Sequence, residues 1–297
     1  MKIFDCFMYF DEDVVLDVRL NLLNEYVDYF VIVESKFNHK GEKRKPLFNI
    51  SKFKKFKEKI IYILDNKLPK NIEKTYKKDS EGTHYYKAIS NASKRENFQR
   101  NNIIKGLQLA NRNDWIIVSD LDEIPNLEKI NFENIKSKFV FFKQNMMYYK
   151  FNLMLSNFTW VGSKACKFKD LKSPQWLRNI KGKKFNWWRV DVLFSKRKYF
   201  DIKFIEKGGW HYSYLKAPNG IKKKLKSYMH HIDYERNPIN LKQIKNNILS
   251  KRAVYDLKVD QKENRLNAKN KLIKVRNSEL PDYIIKNKKK FNKWIEK

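Results

Sequence analysis

Along the first 120 positions, short continuous apolar runs alternate with stretches whose apolar residues recur at three and four, which predicts strands separated by helices. Lys2 to Phe10 reads as a strand, and Asp11-Glu12-Asp13 then supplies a cap candidate and first-turn acids for a helix. That helix carries Val15, Leu16, Leu20, Leu22, Leu23, Tyr26 and Val27 on its apolar side, and Tyr29 to Val33 follows as a second buried strand. A third strand, Ile60 to Leu64, ends at Asp65. A long helix near Ser93 to Ala110 leads into a fourth strand, Trp115 to Val118. The alternation implies an α/β fold, a mainly parallel central sheet flanked by helices. Beyond Pro125 the texture changes to aromatic-rich strands at Phe139 to Phe142, Met146 to Phe151, Phe158 to Val161 and Trp187 to Phe194. From Arg236 onward the chain reads as helical and basic, with 18 basic against 6 acidic residues, and Pro281 starts a last helix carrying Ile284, Phe291, Trp294 and Ile295. The expected organisation is a catalytic domain over 1–235 and a basic helical extension over 236–297. That last helix would dock on the main domain or lie on anionic lipid.

The chemistry concentrates behind the fourth strand, in Ser119-Asp120-Leu121-Asp122-Glu123-Ile124-Pro125. Carboxyl ends of parallel strands are where open α/β sheets place ligands, and three acids in four residues there require a purpose. In extended backbone Asp120 and Asp122 point to one side and can share a hard divalent ion, Mn²⁺ or Mg²⁺, whose shell is completed by water and phosphates. The plainer alternative is a polar turn whose acid caps the next helix. His211, within Gly208-Gly209-Trp210-His211-Tyr212, is a candidate third ligand, the alternative being a satisfied structural histidine. Glu34 ends the second strand on the same predicted rim. Arg95, Glu96 and Arg100 lie on the helix feeding the acidic strand, with Glu96 and Arg100 spaced for an intrahelical pair. All four, beside Asp120 and Glu123, are candidates for binding a nucleotide-linked donor whose phosphates such an ion would bridge.

With 297 residues, 42% of them hydrophobic, the chain can bury a full core. A formal net charge of +32 would suit nucleic acid, an anionic membrane or an acidic substrate, yet lysines spread among many Asn and Ile residues are also what codon bias imposes. Cys6 and Cys166 show no metal spacing and are expected as buried free thiols in a reducing compartment. No run approaches the roughly 20 apolar residues of a membrane span, and the amino terminus lacks a signal-peptide pattern. A cytoplasmic protein, or one peripheral on the inner membrane face, is the expected placement. No P-loop, G-x-G-x-x-G, nucleophile elbow or zinc spacing occurs, which removes kinase and dehydrogenase readings. The lysine excess would also fit a basic nucleic-acid-associated protein, and the acids a metal-dependent phosphohydrolase. The first lacks RNA-recognition spacing, and the second lacks the clustered ligands of a two-metal centre.

Four ordered blocks, Phe4 to Phe7, Arg19 to Ser35, Ser119 to Pro125 and Gly208 to Tyr214, together resemble glycosyltransferase family 17, the β-1,4-mannosyl-glycoprotein β-1,4-N-acetylglucosaminyltransferases. The likeness covers roughly residues 2 to 235. The resemblance implies a GT-A-like fold and inverting transfer from a UDP-sugar, UDP-N-acetylglucosamine foremost. It places a divalent metal and the nucleotide on Asp120 and Asp122, a support role on Glu123 and a third ligand on His211. Members with an amino-terminal anchor act in a lumen. This chain opens at its first predicted strand, so the expected acceptor is a surface polysaccharide or lipid-linked glycan. Inversion needs a general base, for which Asp170, Asp191 and Glu206 are the candidates. Trp160, Trp187, Trp188, Trp210 and Tyr212 are candidates for stacking on sugar faces.

Overall fold

The computed structural model describes residues 1–128, 130–254 and 270–297, and the part of the expected helical tail over 255–269 lies outside them. Its centre is a mixed sheet. Strands β1 (Ile3–Tyr9), β2 (Tyr29–Ser35), β3 (Ile60–Asp65) and β4 (Trp115–Asp120) form a parallel half in the order β3-β2-β1-β4. These are the apolar runs read from the sequence. Residues 116–119 of β4 are buried on both faces, as a central parallel strand requires.

The second half departs from a mainly parallel sheet. Strand β5 (Glu123–Pro125) follows the acidic turn, and the long hairpin of β6 (Phe139–Tyr148) and β7 (Leu153–Lys167) lays β7 antiparallel to β4. Strands β8 (Ile202–Ile205) and β9 (Gly209–Ser213) run parallel to β6, and β5 closes the order antiparallel to β9. Two of the predicted aromatic strands are therefore one continuous β6, and Phe158 to Val161 belongs to β7. Trp187 to Phe194 is no strand. It is a turn-rich loop with a short 3-10 turn at Val190–Val192, because β6 already pairs with β8 and offers this segment no ladder partner.

Helix α1 (Asp13–Leu23) packs Val15, Leu16, Val18, Leu20 and Leu23 into the core, while Glu12 makes no side-chain cap bond. Helix α2 (Glu81–Asn101) starts and ends earlier than its predicted span. Ser80 caps it by accepting the Thr83 amide at 3.2 Å, and it gives way to a 3-10 turn at Asn102–Gly106. Few apolar residues mark its first turns, so periodicity does not reveal them. The short α3 (Pro174–Asn179), α4 (Pro218–Ser227), α5 (His231–Arg236) and α6 (Leu241–Leu249) follow, then β10 (Leu272–Lys274) on the edge of β7, α7 (Asp282–Lys286) and α8 (Lys288–Phe291). Ile284 and Phe291 are buried in the same core cluster as Leu16 and Leu20, so the apolar side of the terminal helices is already covered. Among the described residues, no helix is long and apolar enough to cross a membrane. Both cysteines are free and buried.

Candidate active site

Where β4 ends, the chain makes a tight turn through Leu121 and Asp122 before β5, and one buried arginine holds that turn. Arg19, fully buried on α1, forms a two-point ion pair with Asp5 at 2.6 and 2.8 Å and donates to Ser119 Oγ at 2.5 Å. Its Nη1 also donates to the carbonyls of Asp120, Leu121 and Glu123 at 3.0, 3.0 and 2.8 Å. A planar guanidinium is the side chain suited to tie a carboxylate and several carbonyls at once. The opposite side is fixed by β9: Tyr212 N donates to the Asp122 carbonyl at 2.8 Å, and the pairing of Glu123 with His211 brings the histidine alongside. This contact needs Gly209, which sits at φ +127° with its missing Cβ 2.1 Å from the Ile124 carbonyl.

Asp120, Asp122, Glu96 and His211 line one cavity of about 530 Å³, together with Trp160, Lys224 and other side chains at the sheet rim. Asp120 is held by Arg100 at 2.8 Å and Arg178 at 3.2 Å, and Glu96 shares Arg100 at 2.6 Å. Burial opposes ionisation of Asp120, but Arg178 and Arg100 outweigh it and bring the carboxyl down to about 2. Asp122 instead faces Lys224 at 3.1 Å and His211 Nε2 at 3.5 Å. Burial again disfavours the charge, yet Lys224 and His211 hold this carboxyl far below the usual range. His211 loses by burial and gains more from Asp122, so its pKa rises.

Glu123 is the buried support beneath both. It accepts the Asp120 amide at 2.9 Å, the Trp160 indole at 2.6 Å and Arg178 at 2.8 and 2.9 Å. Lys164 donates to the carbonyls of Arg178 and Ile180 at 2.5 and 2.6 Å, fixing the end of α3 from which Arg178 reaches the site. Burial, with Arg178 nearby, pulls this lysine down to about 7.

Both oxygens of Asp120 are taken by Arg100 and Arg178, so the expected metal pair of Asp120 and Asp122 is not formed, and the residues that could hold a divalent ion are Asp122 and His211. Asp122 Oδ1 and His211 Nε2 lie 3.5 Å apart, close enough to be neighbouring ligands of one ion. The His211 ring is oriented by packing against Trp160, with Nδ1 buried and unpartnered. Among the described residues no three His, Cys, Asp or Glu side chains form a cage. An ion at this pair would therefore complete its shell with water and donor phosphates.

The remaining predicted residues lie elsewhere. Glu34 is buried behind the cavity, where it accepts the amides of Leu47 and Phe48 at 2.7 and 3.0 Å and pairs with Arg44 at 2.9 Å. Arg95 donates to the His39 carbonyl at 3.0 Å and supports the loop bearing that cavity-lining histidine. Asp170 pairs with Lys138 beyond the far end of β7, Asp191 with Arg189 and Lys198 on the exposed loop, and Glu206 with Lys143, and none of the three lines the cavity. Glu12 does line it, with Lys216 at 3.3 Å and Lys224 at 3.8 Å. Sequence reasoning missed Arg178 and Lys224 altogether, and it read Arg19 and Glu12 only as members of other patterns. Arg19 carried a signal, since it is a charge on the apolar face of α1, three residues after Leu16.

A second hollow of about 710 Å³ adjoins the cavity through Phe10, Asn38, Arg44 and Ser227. Its wall carries Lys43, Arg44, Lys45, Lys222, Lys223 and Lys226 against the single acid Glu42. No curated protein matches the chain. The family model for glycosyltransferase family 17 matches residues 1–295, and with the acidic turn and its cavity in place the chain belongs to that family.

Proposed function

We propose that this glycosyltransferase moves a sugar, N-acetylglucosamine foremost, from a UDP-sugar to a hydroxyl of a phosphate-bearing or lipid-linked glycan, with inversion. The observation that carries the reading is the single cavity lined by Asp120, Asp122, His211 and Lys224 at the rim where a diphosphate would sit. In the transfer, the acceptor oxygen attacks the anomeric carbon as the bond from that carbon to the diphosphate oxygen breaks, and the hydroxyl proton passes to a base. We assign the base to Glu12, because it is the cavity carboxylate outside the arginine pairs of Asp120 and Glu96 and the His211 contact of Asp122. Lys224 stabilises charge developing on the leaving group from a fixed position, while Arg178 positions Asp120 and Glu123 from behind the cavity. When bound by Asp122 and His211, Mn²⁺ or Mg²⁺ would supply Lewis-acid neutralisation of the same charge. The basic hollow supports an acceptor that carries phosphate.

Release of UDP from UDP-N-acetylglucosamine by the purified protein tests the reading. We expect turnover with Mn²⁺, loss on chelation, and a drop of about 10²-fold or more in Asp122→Asn. A folded protein that releases UDP from no UDP-sugar under any divalent ion would refute it.

A further inference from the structure

The loop over 181–201, between α3 and β8, is the most anomalous surface of the molecule. Trp187 and Phe194 are each 85% exposed and Leu193 is 71% exposed, with Trp188 and Val190 beside them. Large apolar side chains grouped in this way at the surface mark an interaction site. The exposure is built in. Val192 is buried as an anchor, Lys181 N donates to the Arg197 carbonyl at 2.7 Å, and the Trp176 indole donates to the Lys196 carbonyl at 3.0 Å. Ser195 Oγ accepts the amides of Arg197 and Lys198, each at 3.1 Å. The tip is thus held outward by a ring of hydrogen bonds, and no residue of the loop lines the cavity.

Around that tip the charge has one sign. Residues 181–198 contain Lys181, Lys183, Lys184, Arg189, Lys196, Arg197 and Lys198 against Asp191 alone, and Asp191 is spent on Arg189 at 2.6 Å and Lys198 at 2.5 Å. A rigid knob of tryptophan, phenylalanine and aliphatic side chains inside a collar of cations matches a bilayer interface. Indole rings settle at the headgroup level there, and the lysines meet anionic lipid. A second copy would bring the same cations and be repelled. The core of a protein interface is depleted in lysine. Nucleic acid would use the aromatics for stacking, but Val190 and Leu193 at the tip have no π-face to offer.

We propose that this loop docks the enzyme on an anionic membrane surface, inserting Trp187, Trp188, Leu193 and Phe194 to interfacial depth. The docking is independent of the donor sugar, so it stands or falls apart from the assignment above.

Sedimentation with vesicles of phosphatidylcholine, with and without phosphatidylglycerol, tests it. The full chain is expected to sediment with the anionic vesicles, less so as salt rises, and brominated acyl chains are expected to quench its tryptophan emission. Trp187→Ser/Phe194→Ser should weaken binding about tenfold or more with an unchanged thermal transition. Lys183→Glu/Lys184→Glu should remove most of the salt dependence. The proposal is overturned if the full chain ignores anionic vesicles. It is equally overturned if the aromatic variant binds them undiminished, or if an oligomer of the full chain, rather than vesicle binding, is what the aromatic variant loses.

Discussion

Arg19→Met removes a buried group that joins α1, β1 and the acidic turn. Arg19 and Asp5 are both fully buried, so the substitution leaves a carboxylate in the core without its partner, at a cost of about 3–5 kcal/mol. Three turn carbonyls lose the bond from Arg19 at the same time. The companion Asp5→Leu/Arg19→Met removes both charges, and exchanging a buried pair for apolar side chains is commonly neutral or stabilising, so most of the loss should return. In either protein the carbonyls of Asp120, Leu121 and Glu123 lack the arginine, and of the three Glu123 keeps the Ser163 hydroxyl at 2.9 Å. Urea unfolding should therefore separate the two variants, whereas UDP release should fall about 10²-fold in both, as expected for a displacement of the order of 1 Å at a reacting centre. Recovery of turnover together with stability in the double variant would show that Arg19 only neutralises Asp5 and does not position the turn. A single variant less than about 1 kcal/mol below the parent would undo the buried-pair argument itself.

Three further outcomes follow from the same geometry. His211 has a pKa raised above its ordinary 6.5, so the stability it gains from Asp122 is complete below that value and is lost as pH rises through the folded-state value. Thermal transitions measured without metal should decline for the parent as pH rises above 6.5 and through the raised folded-state value, and should flatten in His211→Gln. Gly162→Ala would place a Cβ 2.0 Å from Gln144 Oε1 and 3.0 Å from Glu123 Cδ. It should cost about 1–3 kcal/mol by denaturant unfolding and slow UDP release by disturbing the support of Arg178 and Trp160. Glu12→Gln should lower kcat for sugar transfer with little change in donor KM, and removal of the corresponding limb of the pH–rate profile would identify the base.

Much of the parallel half was legible in the sequence because β2 and β4 are buried almost throughout and appear as unbroken apolar runs, β1 is interrupted only by Asp5, and the half-exposed edge strand β3 still reads as apolar from Ile60 to Leu64. The acidic turn was legible because nothing apolar accounts for Asp120, Asp122 and Glu123 in succession. The mixed half was harder to read, since alternation marks a strand but carries no direction. The order β7-β6-β9-β5 is set by long-range pairings such as Glu123 with His211. The segment around Trp187 shows the opposite failure: β-forming side chains become a loop when the neighbouring edge is already taken. The site's cations were the least legible part. Arg178 and Lys224 look like two more members of a basic chain, and only the fold aims them at Asp120 and Asp122.

That last point makes the position of positive charge, and not its total, the quantity to test. With a net charge of +32, any lysine substitution reduces the chain's general attraction for phosphate by a similar increment. Specific recognition instead predicts a sharp dependence on place. Lys222 and Lys226 lie four residues apart on α4, line the basic hollow and have no ion-pair partner among the described residues, while Lys224 between them turns to Asp122. Lys54 and Lys57 are exposed on the Ile50–Lys59 3-10 segment and line neither hollow. Lys222→Glu/Lys226→Glu and Lys54→Glu/Lys57→Glu change the net charge identically. The first should raise KM for a phosphorylated acceptor about tenfold, leave KM for its dephosphorylated form unchanged, and spare UDP release without acceptor. The second should alter none of these. Equal effects from both would mean that the lysine excess acts as a diffuse field, and the acceptor assignment to the hollow would fall while the donor site stood untouched.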